Sequence, residues 1–235
     1  MKESSGGWES ILQGAECLEV QRKVGDLRKA GNRIYPREED VFRAFKDCPF
    51  ESVKVVILGQ DPYINKGQAT GRAFAVSESS KIPPSLRNIF REVEREYPSR
   101  TAPSRSLESW AAQGVFLLNT ALTVEQGSSD SHADVGWKAA VTCPTLKKLS
   151  HEREHLVFML WGGPAQKFER CLDAARHLVL KASHPSPLGE RKTASPFRGC
   201  GHFLRANDYL HQHGIEPINW TDADGNANAK IPRSA

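Results

Sequence analysis

The stretch VKVVILGQDPY, residues 53–63, opens with a short apolar run, Val53 to Leu58, that breaks off into a polar turn closed by Pro62. A run of this length bounded by turn formers reads as a buried strand. The same shape returns in VFLLNTALT (115–123), LVFMLWGG (156–163) and HLVLKASHPSPL (177–188), which gives strands over Val115 to Leu118, Leu156 to Leu160 and His177 to Leu180. Between them, Pro84 to Tyr97 carries Leu86, Ile89, Phe90 and Val93 at helical spacing behind a Pro-Pro start. Further helices are expected over Glu38 to Asp47, Leu107 to Gln113, Gln166 to Ala175 and Cys200 to Gln212, the last closed by His213-Gly214. Pro144 should break or kink the apolar pattern from Trp137 to Leu149 near Thr142 or Cys143. Alternating strands and helices imply an α/β fold, here a three-layer α/β/α arrangement with a central four-stranded parallel sheet flanked by helices.

The 235 residues suit one domain, expected over 1–220, with the polar stretch 221–235 as a loosely held tail. A hydrophobic share of 39% and a charged share of 26% exclude a fibre or a disordered chain. The net charge of +4 is compatible with nucleic acid, and an ordinary basic surface explains it equally well. Cys17, Cys48, Cys143, Cys171 and Cys200 are scattered without a CxxC pair, so no zinc or iron–sulfur site is signalled and free thiols are expected. The N-terminus MKESSGGWES has no apolar h-region, and no apolar run reaches the roughly 18 residues of a membrane span. The expectation is a cytoplasmic protein, or a nuclear one in a eukaryote, with no membrane partner.

In an open parallel sheet, ligands bind beyond the carboxyl ends of the strands. All four expected strands run into polar clusters there: GQDPY (59–63), NTALT (119–123), WGG (161–163) and SHPSPL (183–188). Four loops can therefore meet at one cleft. No GxGxxG or P-loop follows the first strand, which argues against a flavodoxin-like or nucleotide-binding enzyme.

GQDPY, GQATGRAFAV (67–76), PPSLRNIF (83–90), LLNTALTV (117–124), SHADVGW (131–137), WGGPAQK (161–167) and HPSPL (184–188), in this order, resemble the family 1 uracil-DNA glycosylases. The resemblance runs from about Trp8 to Trp220. It implies a monofunctional hydrolase that needs no metal or other cofactor, flips uracil out of DNA and cleaves its N-glycosidic bond. It also implies a role for each matching residue. Asp61 orients the attacking water and stabilises the charge that develops on the sugar, as an oxocarbenium-like state requires. His184 hydrogen-bonds the departing base, a contribution of roughly 10² to 10⁴ in rate. Asn119 reads the edge of uracil, because an amide offers the donor and acceptor reciprocal to N3–H and O4. Phe74 stacks on the base, Tyr63 excludes thymine's methyl group, and Gln60 acts through its backbone. Leu188 wedges into the duplex, while Ser85, Ser186, Gly162 and Gly163 grip phosphates, with Arg191, Lys192 and Arg198 close to the wedge. Uracil-containing DNA, single- or double-stranded, and a proteinaceous glycosylase inhibitor are the implied partners of a monomer. His132 is given a structural role.

Several positions depart from the family pattern. Ile64 stands where histidine is usual, Thr70 and Arg72 where histidine and leucine are usual, and Gly163 and Gly189 where serine is usual. Residues 189–197 (GERKTASPF) are a few residues longer than the usual segment. These changes point to an altered grip on DNA, with excision retained. The alternatives are a catalytically weak DNA-binding protein of the same fold and a glycosylase of broader base range; intact Asp61 and His184 oppose the first, and Tyr63 with Asn119 the second.

Overall fold

The computed structural model describes residues 7–98, 100–189 and 194–221. Arg191, Lys192 and the stretch 222–235 lie outside the described residues. Among the described residues six strands form: β1 (Ile34–Tyr35), β2 (Val55–Gly59), β3 (Val115–Asn119), β4 (Val124–Glu125), β5 (Val157–Trp161) and β6 (Leu178–Ala182). The four long ones make a single sheet in the order β3-β2-β5-β6, parallel throughout. β1 and β4 pair antiparallel as a separate two-residue ribbon.

Side chains on a strand alternate between faces, and both faces of this sheet are covered. Val56, Leu58, Phe116, Leu118, Phe158 and Leu160 pack with helices Ala15–Lys29 and Cys143–Glu152 through Val20, Val24, Leu146 and Leu149. Val55, Ile57, Val115, Leu117, Val157 and Met159 pack on the opposite face with helices Pro84–Glu96 and His202–Gln212, through Leu86, Ile89, Phe203 and Leu210. The expected three layers are therefore present, each buried aliphatic or aromatic side chain contributing about 1.5–3 kcal/mol. After β2 the chain crosses to β3, and after β5 it crosses to β6 on the other side. The reversal leaves a crevice beyond the carboxyl ends of β2 and β5.

Three expectations are corrected. The helix expected over Glu38 to Asp47 is a 3₁₀ turn, Glu38–Asp40, followed by a short helix, Arg43–Asp47. Its regularity is lost where the Asp40 carboxylate binds the guanidinium groups of both Arg37 and Arg43. The helix expected from Gln166 starts earlier, at Gly163–Gln166, and tightens into a 3₁₀ segment over Lys167–Cys171. Pro144 does not break its segment. A π-helical turn, Lys138–Thr142, runs directly into Cys143–Glu152, and Thr142 and Cys143 keep right-handed helical angles. The wide turn accommodates the proline ring, and the missing N–H falls in the first turn of the α-helix, where it costs least.

Candidate active site

Asp61 follows β2 by two residues. Its Oδ2 accepts hydrogen bonds from the Ser129 hydroxyl at 2.9 Å and from the Asp130 N–H at 2.6 Å. Asp130 takes a left-handed conformation (φ 63°), a region asparagine and aspartate enter more readily than most residues. Among the described residues nothing donates to Oδ1, so one oxygen is anchored and the other is available. Sequence reasoning missed Ser129 and Asp130; the only signal was a polar turn directly before SHADVGW. Behind it, buried His132 lies 2.7 Å from the Thr123 hydroxyl, which accepts the indole N–H of Trp137.

Gly59 and Asn119 face each other at the ends of β2 and β3. A Cβ on Gly59 would lie 2.3 Å from Asn119 Oδ1, so the amide occupies the space that this glycine leaves. Asn119 is buried, yet its amide makes no hydrogen bond to any described residue. Gln60 spends its carbonyl on the Ala121 N–H (3.0 Å) and the Thr120 hydroxyl (2.7 Å), which leaves only its N–H to offer a ligand. The Tyr63 hydroxyl donates to the Phe74 carbonyl at 3.0 Å, and burial pushes its pKa up. Phe74 holds a φ of 64°, uncommon for a bulky residue. That conformation brings its ring centroid to 5.5 Å from Trp161 and 6.0 Å from His184.

Burial pushes the His184 pKa below its ordinary value, against a smaller opposing pull from the negative charge of Asp61. The imidazole is thus neutral near pH 7. Its Nδ1 accepts the Ser186 N–H at 3.1 Å, which assigns the proton to Nε2. Gly162, with φ 88°, lets the ring sit close: a Cβ there would lie 2.9 Å from His184 Cβ. A Cβ on Gly189 would lie 2.1 Å from the His184 carbonyl oxygen, whereas one on Gly163 would meet nothing within 4 Å. Leu188 is 78% exposed at the tip of this loop. Ser85 sits in the first turn of helix Pro84–Glu96, and that helix is tied to the loop by Asn88, whose amide donates to the Pro185 carbonyl at 2.8 Å.

Arg72, one of the departures, is buried. It binds Asp47 (2.6 Å), Glu108 (3.1 Å) and the Ser106 carbonyl (3.1 Å), two residues before Phe74. Ile64 uses its carbonyl to accept the Gly127 N–H. Among the described residues, Glu92, Glu96 and Cys200 bring possible metal-ligand atoms within 4.8 Å of one another. The Glu92 carboxylate is already committed to Arg95 and to the N–H groups of Gly199 and Gly201.

A carboxylate with one available oxygen, an unspent amide, a neutral imidazole and a ring wall, gathered where a parallel sheet reverses, define a class: an α/β enzyme built to hold a planar heterocycle beside a developing positive charge. The chain matches the model of the Uracil DNA glycosylase superfamily over residues 45–211. It is 51% identical over 218 residues to a uracil-DNA glycosylase of Neisseria gonorrhoeae, covering 91% of this chain and 98% of that one. To the Proteus mirabilis uracil-DNA glycosylase it is 49% identical over 219 residues, covering 91% and 95%. The crystal structure of mimivirus uracil-DNA glycosylase superposes with a TM-score of 0.83 at 28% identity, covering 91% of this chain and 84% of that one. This chain belongs to the uracil-DNA glycosylase superfamily.

Proposed function

We infer that the protein is a uracil-DNA glycosylase, a hydrolase that releases uracil from DNA and leaves an abasic site, the first step of base excision repair. The observation that carries this reading is the half-anchored carboxylate of Asp61 at the same cleft as the unspent Asn119 amide and the neutral His184. Uracil turned out of the stack lies against Phe74. Asn119 donates from Nδ2 to O4 and accepts N3–H at Oδ1. The fixed Tyr63 ring leaves no room at C5 for a methyl group, since a close-packed wall does not absorb one cheaply.

As the glycosidic bond lengthens, its electron pair leaves with the base and positive charge spreads over the sugar. The Asp61 carboxylate stabilises that charge and orients a water through Oδ1. His184 donates its Nε2–H to the oxygen of uracil on which negative charge collects; a neutral donor suffices, because a fixed dipole in a dry pocket needs no reorganisation. Water supplies the hydroxyl that ends on the sugar, and its other proton ends on the departed base, which leaves as neutral uracil. Leu188 fills the space left in the duplex, and Ser85, Ser186, Gly162 and Gly163 hold phosphates on either side.

The test is uracil release from a uracil-containing oligonucleotide by the wild type and by Asp61→Asn, each with EDTA present. The expected result is loss in the variant alone; loss on chelation would overturn the metal-free mechanism. We also propose that a monomer acts in the compartment that holds the genome, and that it accepts a protein inhibitor, as the mimivirus relatives solved in complex with UGI do. Sedimentation with and without such an inhibitor checks both the monomer and its binding.

A further inference from the structure

Beside the uracil site a groove of about 500 Å³ opens between residues 138–147 and 164–170. Lys138, Lys147, Lys167 and Arg170 line it, and none of the four forms an ion pair among the described residues. Their neighbours behave differently: Lys148 pairs with Glu152 at 3.0 Å, and Lys181 with Glu169 at 2.8 Å. The floor between the cations is apolar, formed by Pro144 and Phe168 among others, and among the described residues the one acidic side chain in the lining is Asp130. Asp130 is also the residue whose N–H holds Asp61, and Pro164 comes two residues after Gly162, which packs beside His184. The groove therefore begins at two of the loops that build the site.

Four unneutralised cations converging on one groove repel one another unless a polyanion lies among them, and an apolar floor suits sugar rings between phosphates. We propose that this groove carries the phosphodiester backbone of the DNA strand as it leaves the uracil pocket. The proposal rests on the glycosylase reading and extends its DNA contacts to Lys138, Lys147, Lys167 and Arg170. It gives this chain a source of affinity that does not depend on the hydroxyls missing at residues 163 and 189.

The experiment uses the full chain and two single-stranded substrates, one spanning little beyond the uracil and one several nucleotides longer on each side. Uracil release is followed across a range of sodium chloride concentrations. In Lys147→Ala/Lys167→Ala/Arg170→Ala, the KM for the long substrate should rise roughly tenfold at low salt, and its logarithmic salt slope should fall by about 2, at roughly 0.7 per phosphate contact removed. Its kcat, and both constants on the short substrate, should stay at the wild-type values. The equal charge loss in Lys29→Ala/Lys46→Ala/Lys54→Ala, outside the groove, should leave the slope unchanged. A wild-type slope in the groove variant, or the same fall in the control, would overturn the proposal while leaving the glycosylase reading intact. Failure of the wild type to release uracil from either substrate would overturn both.

Discussion

On the pocket wall that follows β2, polar contacts do the holding: the Ser129 hydroxyl and the Asp130 N–H fix Asp61, Tyr63 fixes Phe74, and buried Arg72 ties the same segment to Asp47 and Glu108. On the wall that follows β6, closeness of backbone does it instead. Gly162 and Gly189 let His184 pack where any Cβ would collide, while the Asn88 amide at Pro185 and the Phe197 N–H at the Ser183 hydroxyl brace the loop from outside. The first wall should fail by losing a polar group, and the second by gaining an atom.

The largest expected effect tests the first wall. Asp61→Asn keeps the shape and removes the charge, and single-turnover uracil release should slow on the order of 10³-fold with little change in KM, the range found when a charge-stabilising group is lost. A change below tenfold would show that the sugar's charge is met elsewhere. Next comes the second wall. Gly189→Ser introduces the residue usual in the resembling family, yet here its Cβ would press on the His184 carbonyl oxygen, so kcat should fall by roughly 10² as the imidazole shifts. Gly163→Ser is chemically the same change in open space and should leave kcat within about twofold, with tighter binding where the hydroxyl finds a phosphate. Equal behaviour of the two variants would break the comparison.

A smaller effect is expected from Arg72→Leu. Asp47 and Glu108 keep side-chain exposures of 26% and 65%, so both can rehydrate when their partner goes. The cost should be about 1–3 kcal/mol, below that of breaking a fully buried pair, and read as a lower urea midpoint. Arg72→Lys should recover only part of it, because an ammonium cannot span three acceptors in the manner of a guanidinium.

The difference between the walls also explains what the sequence made legible. The four strands were readable because each holds a short apolar run, buried throughout in β2, β3 and β5 and only in part in β6, where Lys181 is exposed, and helix Pro84–Glu96 because its apolar spacing is strict. Helix Ala15–Lys29, the longest, gave no comparable signal: only Cys17, Val20 and Val24 are buried, and Gly25 interrupts a charged surface. At the site, the motif loops and their order were visible, and the resemblance supplied a role for each residue. The supports were not. Ser129 and Asp130 reach Asp61 across nearly seventy residues of chain, and nothing local marks them. Likewise, Gly189 reads as a missing hydroxyl in the sequence, while in the structure it is a required gap beside His184. Arg72 reads only as a departure where leucine is usual, and in the structure it is a buried anchor.

Trp161 packs under the first wall at Phe74 and directly precedes Gly162 of the second, and this position yields the prediction with the smallest effect at neutral pH. Its indole N–H is accepted by Nδ1 of buried His202 at 3.0 Å, and its ring packs against Phe74. Burial, helped by the nearby charge of Arg205, lowers the His202 pKa to about 4. In the unfolded chain the ordinary value is about 6.5, so between these limits the unfolded state binds more protons. The stabilisation is therefore complete above about pH 6.5 and is lost as the pH falls toward 4, a change of about 3 kcal/mol. His132, His177 and His184 shift in the same direction through burial and steepen the loss. Glu96 works the other way: burial raises its pKa to about 7, so its share of stability is held below the ordinary carboxylate value and fades as the pH rises through 7. From pH 7 down to 4.5 the urea midpoint of the wild type should fall relative to that of His202→Gln, which keeps an acceptor for the indole but cannot titrate. An unchanged slope in that variant would show that protonation of His202 does not reach Trp161.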